Sequence, residues 1–213
     1  MDFLAHRGII SGGLSRKIIH IGTGPIFVLC WLLFNNRIEA RFLAALVPLG
    51  ITLQFLLVGT GIIKDPSAVQ AMSRSGQRSE ILRGPLFYGI VFVALTIGFW
   101  KENPVGVVAL MILCGGDGLA DIIGKRFKSG RLRWSPQKSW AGTFSVFVGG
   151  WIFAVVVLAI MLTAKAFPGT LTGLLPGITV IAFISAVVES LPFSDIDNLT
   201  VPLTAVLLGI VLF

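Results

Sequence analysis

Charged residues are scarce in this sequence: Asp, Glu, Lys and Arg make up 13% of its 213 residues, whereas 55% are hydrophobic. The mean hydropathy of +0.91 excludes an ordinary soluble domain. The apolar runs continue for about 17 to 25 residues, the length of a bilayer-crossing helix, whereas a membrane barrel would alternate in segments of roughly ten. The sequence therefore predicts an all-α fold, a multi-span transmembrane bundle of about seven helices.

Cysteine is also rare, and this excludes two further classes of protein. Cys30 and Cys114 both lie in apolar runs far apart in the sequence, which predicts buried small side chains and no disulfide framework or thiolate metal site. The first 13 residues lack an apolar region ending in small residues, so we expect no cleaved targeting segment. No repeat or low-complexity linker is present, which predicts one domain over residues 1–213.

The usual phosphate-binding fingerprints are missing. Gly124-Lys125 is followed by Arg126, where a P-loop requires Ser or Thr, and neither GxGxxG after a strand nor HExxH occurs. Any phosphate site must therefore be built in another way.

Seven apolar runs predict seven spans, and the weaker ones allow six or eight. With a cytoplasmic N-terminus, 13 of the 17 Lys and Arg residues fall on the cytoplasmic side, as the positive-inside bias requires. The net charge of +7 then reflects topology and contact with anionic lipid, so no nucleic acid is expected. The expected location is a prokaryotic plasma membrane with a cytoplasmic active site. The predicted spans are 18–34, 42–63, 85–100, 104–123, 141–163, 171–191 and 199–213.

Most acids also fall on the cytoplasmic side, several of them close to the hydrocarbon. An ionisable group retained there indicates function, because its insertion costs a few kcal/mol. At the end of the sixth span and just after it, Glu189, Asp197 and Asn198 offer oxygen atoms suited to a metal or a hydroxyl group.

The stretch from Cys114 to Thr143 carries the strongest signal. Asp117 and Asp121 are four residues apart, so on a continuous helix both carboxylates share one face and suit Mg²⁺, which takes one or two carboxylates plus phosphate oxygens. The basic loop after them would offset the charge of a triphosphate, through Lys125, Arg126 and Lys138. Metal-binding carboxylates beside a basic loop predict a nucleotide site at a membrane surface.

Two other features bear on that site. Gly118, with its neighbouring glycines, can loosen the helix and free backbone amides for an anion. Arg16 and Lys17, at the entrance of the first span, are expected from topology but suit phosphate as well. His20, one turn further in, can bind phosphate, position an alcohol or hydrogen-bond a neighbouring helix.

Five segments together resemble one family of enzymes. They are RKIIH, SRSGQRSEILRGP, GDGLADIIGKRF, SPQKSWAG and ESLPFSDIDNLTVPL, in this order from Arg16 to about Pro202. In this order and around these spans they resemble the polyprenol kinase family, and most closely its phytol and farnesol kinase branch. The resemblance implies an integral membrane enzyme that phosphorylates an isoprenoid alcohol with CTP.

The related dolichol kinases bind CTP through Asp-x-x-Ala-x-x-x-Gly and Lys-Lys-Thr-x-Glu-Gly. The resemblance implies that the corresponding positions here bind nucleotide: Asp117, Gly124, Lys138, Ser139 and Gly142. Two departures, Gln137 for the first Lys and Ala141 for the Glu, make the resemblance closer to the short-chain branch.

The alternative is a phosphatidate cytidylyltransferase, because SPQKSWAG also resembles the SPxKTWEG of those enzymes. Their Asp-Arg-x-Asp signature is absent, which favours the kinase. A small transporter would place charges at the centres of several spans, and here they lie mostly at one end. For the kinase, Glu189, Asp197 or His20 would accept the hydroxyl proton. The oligomeric state stays open.

Overall fold

A computed structural model describes residues 12–73, 75–127, 129–193 and 196–213. The side chains of residues 12–20 and of Asp117, Asp121 and Lys125 lie outside that description. The α-helices in the described part are α1 Gly12–Cys30, α2 Ile38–Thr60, α3 Pro66–Met72, α4 Gly84–Phe99, α5 Val105–Met111, α6 Gly118–Arg126, α7 Trp140–Thr163, α8 Leu171–Glu189 and α9 Asp197–Leu212.

The helical bundle predicted from the apolar runs is confirmed. Five segments of the described chain are long and apolar enough to cross a membrane, and two shorter ones, Ile21–Leu33 and Asp197–Leu212, are also apolar. These seven segments match the seven predicted spans. The five long ones are Ile38–Thr60, Arg78–Phe99, Val105–Gly124, Trp140–Thr163 and Leu171–Glu189.

The segment Val105–Gly124 forms the centre of the bundle. Of its most apolar window, 75% is buried, against 28–39% in the other four long segments. Close packing explains this burial, because a Cβ on Gly115 would lie 2.7 Å from the carbonyl oxygen of Gly149. Small residues let two helix backbones approach in this way.

The predicted fourth span is not one uniform α-helix. A π-helical turn, Ile112–Asp117, separates α5 from α6. Such wide turns occur as short insertions in α-helices, often at functional sites. The Gly115–Gly149 contact lies inside this turn, so the irregular backbone is also the most tightly packed part of the helix.

The basic loop predicted after the fourth span contains a small hairpin. Strand β1, Arg131–Leu132, pairs antiparallel with β2, Ser135–Ser139, and the register shifts between Arg131 and Leu132. The Arg131 guanidinium donates to the Gln137 carbonyl oxygen at 3.0 Å. The hairpin is joined directly to α7, whose first turn is capped by Ser139.

The bundle has two polar ends, which lie about 24 Å apart along the 16 residues of α4. The hairpin end contains Gly84, the hairpin, Glu189 and Asp197. The tryptophan end contains Trp31, Arg41, Trp100 and Lys101. These two names are used below.

The segment between α3 and α4 closes the bundle at the hairpin end. It forms a 3₁₀ turn, Arg78–Leu82, in which Ile81 is fully buried. Leu82 packs on Gly59 of α2, and the Glu80 carboxylate accepts a hydrogen bond from the Ser75 hydroxyl at 2.6 Å. Part of this segment is therefore a packed element of the fold.

Candidate active site

Lys138 is the centre of the polar cluster at the hairpin end. Strand β2 directs its ammonium group to Glu189 at the end of α8, where it donates to the backbone carbonyl oxygen and lies 2.9 Å from Oε1. The same ammonium lies 3.8 Å from Oδ2 of Asp197, the first residue of α9. One side chain thus joins the hairpin to two helices, and three residues predicted as catalytic meet at one place.

The ion pair between Lys138 and Glu189 contributes to stability because Glu189 is buried. Glu189 is only 9% exposed, and removing a charge from water costs several kcal/mol unless a partner compensates it. Lys138 supplies that compensation. Asp197 is more accessible, and its Oδ1 accepts from the Asn198 backbone amide at 3.1 Å. A carboxylate in the first turn of α9 is also favoured by the helix dipole.

Two hydrogen bonds fix the surroundings of the cluster. Asn198 donates through Nδ2 to the Gly84 carbonyl oxygen at 3.0 Å, which ties α9 to the start of α4. The indole nitrogen of Trp134, between the two strands, donates to the Ser190 carbonyl oxygen at 3.2 Å. Asn198, predicted to bind the nucleotide, therefore has a structural partner next to the acid pair.

The two segments that resemble CTP-binding elements pack directly against each other. A Cβ on Gly124 would lie 3.2 Å from the Ser139 hydroxyl and 3.4 Å from the Cα of Gly142. The Ser139 hydroxyl accepts from the Gly142 amide at 3.2 Å, as a helix cap does. Close packing and capping thus account for three predicted nucleotide-binding residues, and nucleotide contact by them stays a prediction.

Asp117 and Asp121 lie on the same helical segment. Asp117 ends the π turn and Asp121 lies inside α6, four residues further on. Their side chains, like that of Lys125, fall outside the described part of the structure, so their roles stay predictions. Arg126, at the end of α6, is exposed.

The first span packs against this region at the start of α6. A Cβ on Gly118 would lie 2.2 Å from Cγ1 of Ile21, so α1 packs closely on the start of α6. Ile21 follows His20 in the chain, and Gly118 follows Asp117. The predictions for Arg16, Lys17 and His20 fall on side chains outside the description. Binding of an anion by the Gly118 amide stays a prediction too.

The residue types of the aspartate pair fit Mg²⁺. Two carboxylates spaced by four residues on one helical backbone provide the oxygen ligands that Mg²⁺ takes, the rest coming from phosphate and water. Among the described residues, no group of three His, Cys, Asp or Glu side chains forms an alternative metal site.

A small cavity of about 10 Å³ lies beside the acid pair. Its polar lining is Glu189, Asp197 and Asn198, and its apolar lining is Leu113, Val146 and Val201. These three apolar residues were not predicted from the sequence as part of the site. A signal was available, because each is four residues from a motif position: Leu113 from Asp117, Val146 from Gly142 and Val201 from Asp197.

The chain is similar to curated plant proteins over nearly its whole length. It is 36% identical over 214 positions to "Probable phytol kinase, chloroplastic" of Triticum aestivum, covering 100% of this chain and 71% of that protein. It is 36% identical over 208 positions to "Phytol kinase 1, chloroplastic" of Arabidopsis thaliana, covering 97% and 68%. "Farnesol kinase, chloroplastic" of Arabidopsis thaliana is 38% identical over 212 positions, covering 99% and 69%.

No family model matches the chain. No solved structure matches it either. The relatives named above are chloroplast proteins of plants, which does not fit the expected prokaryotic plasma membrane. A membrane location itself agrees with the apolar helices. At these identities, over more than two thirds of each relative, the chain belongs to the phytol and farnesol kinase branch of the polyprenol kinase family.

Proposed function

We propose that this chain is a kinase that transfers the γ-phosphoryl group of CTP to an isoprenoid alcohol, at the membrane face where the hairpin end lies. Phytol, farnesol and geranylgeraniol are the candidate alcohols. The observation that carries the proposal is the meeting of Lys138, Glu189 and Asp197 at that end. The names of the relatives support the reaction class.

The reaction forms a bond between the alcohol oxygen and the γ-phosphorus. The bond from that phosphorus to the oxygen bridging the β- and γ-phosphates breaks, and CDP leaves with the electron pair. The hydroxyl proton passes to a carboxylate and then to water. The products are CDP and a lipid monophosphate.

Asp117 and Asp121 would hold Mg²⁺, which when bound neutralises charge on the β- and γ-phosphates. Lys125 and Arg126, on the same helix, would face the phosphates with positive charge. The Gly124–Gly142 contact supports this arrangement, because it fixes the position of α6 relative to the hairpin and α7. Mg²⁺ and the nucleotide thus belong to the side of the site formed by α6.

Lys138 acts as a positioning residue for the acids. An ammonium group has three donors, and here two of them meet Glu189 while Asp197 lies 3.8 Å away. Lys138 thereby fixes the position of the Glu189 carboxylate. Asp197 is the more accessible carboxylate and is our first choice to accept the hydroxyl proton, ahead of Glu189 and His20. Positioning contributes more than basicity, because the transition state of phosphoryl transfer is loose.

The choice of CTP depends on the resemblance of the Asp117–Gly124 and Gln137–Gly142 segments to known CTP-binding elements. Lipid alcohols lie in the bilayer and nucleotides in water, so both substrates must meet at the level of the helix ends. The acid cluster, formed by the last residue of α8 and the first of α9, lies at such a level.

The decisive experiment supplies the purified protein, in lipid nanodiscs, with γ-labelled CTP or ATP and each alcohol in turn. The expected result is label in an organic-soluble monophosphate and release of CDP. Transfer from ATP in preference to CTP would overturn the assignment of CTP as the phosphoryl donor. No labelled lipid with any alcohol and either donor would overturn the kinase.

The same assay, with phosphatidate supplied in place of the alcohol, examines the alternative, a cytidylyltransferase. The segment that favours it, SPQKSWAG, forms strand β2 and the start of α7. That reaction would release pyrophosphate and retain CMP on the lipid. Pyrophosphate formed with phosphatidate, and no CDP formed with alcohols, would therefore replace the kinase by the transferase.

A further inference from the structure

The cavity beside the acid pair is lined by three polar residues and three apolar residues. Its polar residues lie where helices begin or end: Glu189 is the last residue of α8, and Asp197 and Asn198 are the first two of α9. Its apolar residues are almost completely buried, with Leu113 and Val146 each 1% exposed and Val201 4%. The lining therefore suits a ligand with one polar end and an apolar body.

The polar and the apolar residues are arranged along the depth of the bundle. Val201 follows Asp197 by four residues, one turn or about 6 Å deeper in α9. Leu113 precedes Asp117 by the same number of residues in the central segment, which runs toward the hairpin end. Val146 is in the second turn of α7. The apolar lining thus lies about one turn further from the hairpin end than the polar lining.

We infer that this cavity receives the hydroxyl-bearing end of the prenyl alcohol, with the hydroxyl at Asp197 and Glu189 and the first isoprene unit against Leu113, Val146 and Val201. The inference rests on the proposed kinase function and specifies its acceptor site. A volume of about 10 Å³ holds about one water molecule, which is also the size of a hydroxyl group. The first isoprene unit is larger than this volume, so its binding requires that the three branched side chains move apart.

The cavity contacts the first isoprene unit, which the candidate alcohols share. Phytol, farnesol and geranylgeraniol are all primary allylic alcohols with the same first isoprene unit, and they differ further along the chain. The three apolar residues therefore select an allylic prenyl alcohol as a class and do not distinguish its members.

Substitution of Val201 by Phe tests this inference. The larger side chain fills the space for the first isoprene unit, so KM for the alcohol should rise about tenfold or more, the scale of a one-group misfit in an apolar pocket. The increase should be the same for phytol, farnesol and geranylgeraniol, with KM for CTP unchanged. Leu203→Phe is the matched control, because Leu203 lies on the same helix and is 54% exposed. Equal KM values for the two variants would overturn the inference.

A binding measurement separates this inference from the kinase proposal. A prenyl alcohol carrying a photoreactive diazirine on its first isoprene unit should label wild-type peptides that contain Val146 or Val201, and excess unlabelled geranylgeraniol should prevent the labelling. Labelling confined to other helices in an active kinase would overturn the pocket alone. Labelling here without phosphorylation of any alcohol would overturn the kinase and leave the pocket. If Val201→Phe does not fold, the wild-type labelling pattern still decides.

Discussion

Among the described residues, Lys138 at the hairpin end is partly buried and Lys101 at the tryptophan end is buried, and the two ends compensate these charges differently. At the hairpin end, Lys138 lies between two carboxylates. At the tryptophan end, Lys101 is 7% exposed, donates to the Phe34 carbonyl oxygen and lies 5.9 Å from the centre of a Trp100 ring. A backbone carbonyl and an aromatic ring are enough to hold a cation, so the acids near Lys138 require another explanation.

The acids themselves differ between the two ends. Glu39 and Glu102 at the tryptophan end are exposed, and Glu102 pairs with Arg41 near the surface. Glu189 at the hairpin end is buried. Carboxylates are almost never buried unless they are paired, and retained buried acids in membrane proteins indicate function. The tryptophan end has the features of a structural element, in which the Trp31 and Trp100 rings pack with their centroids 5.0 Å apart and their planes tilted by 32°.

The largest expected effect separates the acids of the two ends. Asp117→Asn and Asp121→Asn should each reduce kcat by at least on the order of a thousandfold, the scale of charge stabilisation in phosphoryl transfer. Glu102→Gln, at the tryptophan end, should leave kcat unchanged. Alcohol phosphorylation in nanodiscs measures all three, with circular dichroism to verify folding. Near-normal turnover in both aspartate variants would remove the metal assignment.

The next effect concerns the Lys138 ion pair. Lys138→Met removes one charge partner of the buried Glu189 carboxylate, which should lower the free energy of unfolding by about 2–3 kcal/mol, less than for the loss of a fully buried pair. Adding Glu189→Gln should restore much of the stability but not kcat. Thermal unfolding in detergent and steady-state kinetics of the single and double variants measure this. Recovery of kcat in the double variant would contradict a positioning role.

A smaller difference in stability should separate Gly115, in the π turn, from Gly98, near the tryptophan end. Gly115→Ala should destabilise by about 1–3 kcal/mol, because its Cβ would meet backbone and Phe153 ring atoms 2.7 Å away. Gly98→Ala, near the tryptophan end of α4, meets nothing within 4 Å and should be neutral or stabilise by up to about 1 kcal/mol. Unfolding midpoints in one detergent provide the comparison. Equal losses would show that the central packing is looser than described.

The smallest effect is a pH dependence at the tryptophan end. Burial lowers the pKa of Lys101 from its ordinary 10.5. Between the lowered pKa and 10.5 the unfolded chain binds more protons than the folded one, so the free energy of unfolding should rise with pH across that window. Below the folded pKa the unfavourable contribution is complete and constant. The unfolding midpoint of the wild type minus that of Lys101→Met should therefore become more positive as pH approaches 10.5. A change toward more negative values would contradict the sign.

The sequence could predict the spans and the shared end of the polar residues, because apolar run lengths and charge bias follow directly from the bilayer. Glu189 and Asp197 were placed together for that reason. The sequence could not predict that Lys138 would pair with these two acids. That contact requires the hairpin, whose two-residue first strand and Pro136 give little strand signal. The hairpin is held by distant partners, such as Ser190 for Trp134.

The sequence predicted that the glycines around Gly118 can loosen the helix, but it did not predict a π turn at Ile112–Asp117. Its close approach to α7 at Gly115 and Gly149 depends on two helices that are separated by the whole hairpin. Local preference does not contain that information. Leu113, Val146 and Val201 were missed because each looks like an ordinary core residue, and only its distance of one turn from a motif position sets it apart.

The wide turn at Ile112–Asp117 also sets the rotation of everything that follows it. An α-helix advances by about 100° per residue, and a π turn holds about one residue more than an α turn, so winding Ile112–Asp117 as a regular α-helix would rotate α6 around its axis by about that angle. Every letter of GDGLADIIGKRF would be unchanged in such a uniform helix, yet α6 would present a different face to α7. The motif of this enzyme is thus defined as much by the phase of the helix that carries it as by its residues.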